Sequence, residues 1–177
     1  MRHSTTMTAL AAITALTLAG CSNTSTNNGS SGSSGSAPAK ANAAASTPLT
    51  ASTAFTKLAT TVATAKLSGT VTATNDPNHL LGRPGQYTSK VTFTDTRIKA
   101  SDVEFTKPGD VERGGAIEVF GSPSDAQTRA KYIQAVTKSL PALAEYDYVH
   151  GTVLVRVSHY LTPAQAVGYK TAVNGLS

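Results

Sequence analysis

The sequence predicts a single α+β domain, with a largely antiparallel sheet and helices packed on one face, and three observations carry that expectation. Tyr87 to Asp95 alternates along its length, with Tyr87, Ser89, Val91 and Phe93 on one face and Thr88, Lys90, Thr92 and Thr94 on the other, as a half-buried strand does. Ser122-Pro123 and Thr162-Pro163 each place a hydroxyl cap before a proline at the first helical position. The segments follow one another as helix, strand, strand, strand, helix, strand, helix, an order that suits an α+β domain.

Each element has its own signal. Ser52 to Ala65 spaces Phe55, Leu58, Ala59, Val62 and Ala65 three and four apart, an amphipathic helix with Ser52 as a cap. Leu67 to Thr74 reads as a short strand, and Gly114 to Phe120 as a second apolar one after Tyr87–Asp95. The helix opened by Pro123 buries Ala126, Ala130, Ile133 and Val136 or Thr137, turns Asp125, Arg129, Lys131, Gln134 and Lys138 outward, and ends at Pro141. Tyr146 to Ser158 is read as one central strand, β-branched on both faces, with a bulge or bend at Gly151. The last helix, capped by Thr162 with Gln165 reaching back, buries Ala166, Tyr169 and Val173.

The chain has 177 residues, 15 basic against 10 acidic, and one cysteine, which excludes an internal disulfide framework and a cysteine-rich zinc site. Residues 1–20 pass from Arg2 and His3 into an uncharged apolar run over Ala9 to Ala19. At about a dozen residues this run is too short for a bilayer core that needs roughly 20, and it ends in small residues as an export signal does. Residues 21–50 hold no aromatic residue and one charge, Lys40, among Ser, Thr, Asn, Gly, Ala and Pro, so they cannot bury a core and read as a disordered tether with a reach of roughly 30 Å. The globular domain is assigned to 51–177, where 13 basic and 10 acidic side chains leave a charge near +3. These charges are scattered, without a basic run or stripe, which argues against nucleic acid as a partner.

Leu18-Ala19-Gly20-Cys21 resembles the lipobox of bacterial lipoproteins. That resemblance implies diacylglycerol on the Cys21 thiol, cleavage before Cys21, and residence on the extracytoplasmic face of the cell membrane. Two acyl chains suffice for stable anchoring, at about 0.8 kcal/mol for each buried CH₂. The lipobox and tether, together with LLGRPGQYTSK, GGAIEVF and VLVRVSHYLTPAQA, resemble small uncharacterised lipoproteins of actinobacteria. This likeness implies no activity and lends no catalytic residue.

The segment with the densest chemistry is the loop from Asn75 to Tyr87. Asn78, His79, Arg83, Gln86 and Tyr87 form the candidate binding set there, with Arg83 as a forked donor and Leu80 and Leu81 free to meet a partner or plug the core. The alternative is that Asp76-Pro77 and Arg83-Pro84-Gly85 are simply turns. His79, His150 and His159 lack the spacing of a metal site, and neither a metal nor a cofactor is expected. No nucleophile elbow occurs, and the spaced carboxylates Asp102 with Glu104 and Asp110 with Glu112 read as solvated turn residues. Glu118, inside an apolar strand, is expected to face solvent across the sheet or, next, to pair with Arg156. Tyr146, Tyr148 and Tyr160 offer a ligand surface or core residues with wet tips.

The expected function is a non-enzymatic binding module for an envelope protein or wall component, anchored at Cys21. Two alternatives stand beside it: an envelope hydrolase built on Glu118 and His150, and a carrier of a small lipophilic ligand beneath the sheet. The sequence leaves the oligomeric state open.

Overall fold

The computed structural model describes residues 48–176; the expected signal segment, Cys21 and most of the tether lie outside the described residues. Within them, α1 (Ala51–Thr61) precedes strands β1 (Ala65–Thr70), β2 (Tyr87–Asp95) and β3 (Gly114–Phe120). Helix α2 (Pro123–Ser139), strands β4 (Glu145–His150) and β5 (Val153–Ser158) and helix α3 (Pro163–Asn174) follow. The five strands form one antiparallel sheet in the order β1-β2-β3-β5-β4.

The α+β class is therefore the observed one, with three refinements. The segment from Tyr146 to Ser158 is a hairpin rather than one strand: Gly151, at φ 54°, takes the left-handed turn position that glycine enters without strain, and Tyr148 lies opposite Val155. Helix α1 ends at Thr61 and is capped by Thr50, whose side chain accepts from the Thr53 amide in a reciprocal capping box. Ser52 thus lies inside the helix, and Ala65 opens β1, which stops at Thr70 instead of Thr74.

Third, the helices divide between the two sheet faces. α1 and α3 cover the face carrying Val91, Phe93, Ile117, Val119, Val153, Val155 and Val157, where the Phe93 ring stacks on Tyr169 at 5.5 Å and meets Phe55 at 5.9 Å. α2 covers the opposite face, packing Ala126, Ala130 and Ile133 against Tyr87, Phe120 and Leu154. Tyr87 reaches this second face because the β2–β3 register shifts between Tyr87 and Ser89, adding a residue that breaks the alternation. It is thereby separated from Val91 and Phe93, with which the sequence pattern had grouped it.

Candidate functional site

Helix α2 leaves part of its sheet face uncovered, and a cleft of about 630 Å³ remains between it, the Pro77–Leu80 loop and the turn around Gly109–Glu112. Its floor is charged. Lys90 on β2 and Glu118 on β3 are cross-strand partners, and Lys90 Nζ donates to Glu118 Oε1 at 2.9 Å. Arg129, the seventh residue of α2, donates through Nε to Glu118 Oε2 at 3.3 Å, and Arg156 on β5 brings Nη1 to 3.5 Å from Oε1. Arg156 also grips Glu145 of β4 with two parallel bonds, Nε to Oε1 at 2.7 Å and Nη2 to Oε2 at 2.8 Å.

Glu118 therefore does not face solvent. It is completely buried, and the side chains of Lys90, Arg129 and Arg156 are only 6, 12 and 16% exposed. Burial pushes the Glu118 carboxyl up, but Lys90, Arg156 and Arg129 together hold it below the ordinary carboxylate range. An ionised carboxylate locked in this way is a counterion, not a general acid. The expected pairing with Arg156 is present, as the longest of its three contacts.

Asp147 of β4, opposite Arg156, behaves differently. Its Oδ1 is buried without a hydrogen-bond partner among the described residues. Burial, a hydrogen bond with Glu145 and the Glu145 charge push its carboxyl up to about 8, against the opposing pull of Arg156. A protonated Asp147 donates to Glu145 and leaves that carboxylate its full charge for Arg156.

The loop of candidate binding residues is built around Asp76. Its carboxylate accepts from the amides of Asn78, Leu80 and Leu81 at 3.1, 2.8 and 2.9 Å and from the Tyr87 hydroxyl at 2.7 Å. Burial pushes the Asp76 carboxyl up, but these donors prevail and hold it down at about 2. Tyr87 is fully buried, with an edge-on contact to Phe120 and Lys90 Nζ 5.1 Å from its ring centroid, so it anchors the loop and presents no surface to a ligand. Asn78 lines the main cleft, and Gln86 lines a smaller hollow of about 310 Å³ with Leu80, Arg129 and Tyr132. His79, at φ 52°, and Arg83 are exposed on the outer bend and line neither. Leu80 and Leu81 pack against the α2 core.

The structure does not bring Glu118 and His150 together. His150 is exposed at the hairpin end of β4, on the face opposite Glu118, with β5 between their strands. Tyr146 and Tyr148 are half-buried against the α1–α3 core, Tyr146 donating to the Leu161 carbonyl at 3.2 Å, while Tyr160 lies against the His159 ring. Asp102 and Glu104 are exposed; Asp110 and Glu112 line the cleft wall, Asp110 accepting from the Lys107 amide at 2.7 Å. Among the described residues no group of three His, Cys, Asp or Glu side chains is placed to hold a metal ion, and no helix is long and apolar enough to cross a membrane.

Sequence reasoning placed Lys90 and Arg129 on outward faces and so missed the floor they form. The signal was present as sign: Glu118 is the one charge in β3 and Arg156 the one in β5, with Lys90 in the middle of β2. Comparison of the chain with protein-family models, curated proteins and solved structures finds no match.

Proposed function

We propose that the protein is a lipid-anchored binding module on the extracytoplasmic face of a cell membrane, joined to diacylglycerol at Cys21, and that its ligand enters the cleft beside α2. The anchor rests on the Leu18–Cys21 lipobox, and the 22–50 segment supplies the reach. The observation that carries the binding site is the charged floor: Lys90, Arg129 and Arg156 converge on one buried carboxylate at the base of an open cleft. Buried polar groups opening into a concave, partly apolar surface are what ligand sites are made of. The binding reading is preferred to hydrolysis because Glu118 is neutralised by three cations and His150 lies on the other sheet face.

The test is capture in cells. A photo-reactive residue placed at Tyr132, which is exposed on the cleft rim, is compared with one at Arg83 on the outer bend. A species captured at position 132, absent at 83 and lost on Arg129→Gln, is the expected result. Equal capture at both positions, or capture indifferent to Arg129, would remove the cleft from the reading.

A further inference from the structure

The ligand class of this cleft follows from its charge count and from where its apolar surface lies; the inference rests on the cleft being the binding site. Arg156 is held mainly by Glu145 and reaches Glu118 only at 3.5 Å, leaving Glu118 to answer chiefly Lys90 and Arg129. Two cations thus share one carboxylate. Arg129 engages Glu118 through Nε alone, and neither of its terminal nitrogens makes a hydrogen bond among the described residues. Lys90 uses one of its three donors on Glu118. Both side chains are nearly buried at the base of the cleft, so an arriving anion meets these spare donors in a medium of lower effective dielectric than bulk water.

The α2 side of the cleft is apolar. Ile133 and Val136 line it, and Tyr132 and Leu143 extend it to the rim, 61 and 45% exposed. Acidic residues also line this space: Glu112 and Asp110, the latter accepting from the Lys107 amide at 2.7 Å. One anion fits beside Lys90 and Arg129; a second negative charge projecting across the cleft meets those carboxylates.

We propose that the cleft takes a small molecule joining a single anionic group to an apolar body, the anion held between Lys90 and Arg129 and the body laid along Ile133, Tyr132 and Leu143. The acidic wall disfavours dianions and polyphosphates, and at the floor Lys90 and Arg129 favour an anion over an amine. A free fatty or branched carboxylate and a hydrophobic residue bearing a free carboxyl terminus share this chemistry.

The probes are four unbranched six-carbon molecules: hexanoate, hexanol, hexylammonium and adipate. Each is titrated into the full chain carrying Cys21→Ser, so that no acyl chain of its own competes, while the backbone amide signals of 129–137 and 111–112 are followed by NMR. Hexanoate is expected to shift these signals with an affinity at least fivefold above that of each other probe, and Arg129→Gln to reduce hexanoate to the level of hexanol. Tyr132→Ala removes a ring that is 61% exposed and lies 5.6 Å from the Arg129 guanidinium, and is expected to weaken hexanoate and hexanol alike by threefold or more. Hexanol or adipate binding as well as hexanoate, shifts confined to other residues, or indifference to Tyr132→Ala would overturn the inference. Capture at position 132 in cells without hexanoate binding refutes this ligand class and leaves the binding module standing. Hexanoate binding at these residues without capture keeps the cleft and its ligand class and removes an envelope protein or wall component as its occupant in cells.

Discussion

Glu118 holds three cations that would otherwise repel one another on one sheet face. Removing one partner of a buried ion cluster leaves nearly buried charges without their counterion, so Glu118→Ala is expected to destabilise the fold by roughly 3–5 kcal/mol, measured by urea unfolding. A loss below about 1 kcal/mol would mean that the cations swing out to solvent when unpaired. Asp147 gives the opposite sign with pH. Its folded-state carboxyl titrates near 8, above the ordinary 3.8, so the folded chain holds a proton that the unfolded chain has released across that window. The contribution is complete below about pH 4 and is lost as the pH rises through 8. Burial, Glu145 and Glu118 oppose ionisation, and Arg156 alone favours it. Asp147→Asn keeps a donor for Glu145 and cannot ionise; it is expected to raise stability at pH 8 and to leave it nearly unchanged at pH 4. Equal effects at the two pH values would rule out a protonated Asp147.

Elements built from local signals were legible in the sequence. Ser122-Pro123 and Thr162-Pro163 start α2 and α3 as expected, and both caps accept the third-residue amide. What failed to show was whatever depends on a neighbour. The hairpin at Gly151 looks like one strand because both arms are rich in β-branched and aromatic residues and only the turn separates them. Tyr87 joined the wrong face because a register shift is a property of two strands, not one. The cleft floor was hidden for the same reason: Lys90, Glu118, Arg129 and Arg156 come from four elements, and each alone reads as an outward polar position. The glycine pair opening β3 belongs to this group. A Cβ on Gly115 would stand 2.2 Å from the Arg156 carbonyl oxygen and 2.4 Å from the Phe93 ring, contacts that no strand pattern announces. Overfilling a tight site costs about 1–3 kcal/mol, so Gly115→Ala should lower the unfolding free energy by that amount, through displacement of β5 or of the Phe93 ring. A change within about 0.5 kcal/mol would show that the strand yields there at little cost.

For the whole molecule, the question is what keeps the chain at a membrane. The folded domain offers little: its charge is near +3 with no basic run in the sequence, and surface attraction of that kind is screened within about 8 Å at physiological salt. Among the described residues no helix spans a bilayer. Membrane residence on the proposed reading therefore rests on the acyl chains at Cys21, whose hold is hydrophobic and insensitive to salt. Wild-type protein should stay with membranes through a high-salt wash, enter the detergent phase on phase separation, and carry a diacylglyceryl mass increment on a chain beginning at Cys21. Cys21→Ser should lose the increment and the detergent partition. If Cys21→Ser partitions into detergent as fully as wild type, the anchor lies elsewhere in the chain. A wild-type chain released by salt alone would instead make the attachment electrostatic, and the lipobox likeness would then carry no covalent lipid.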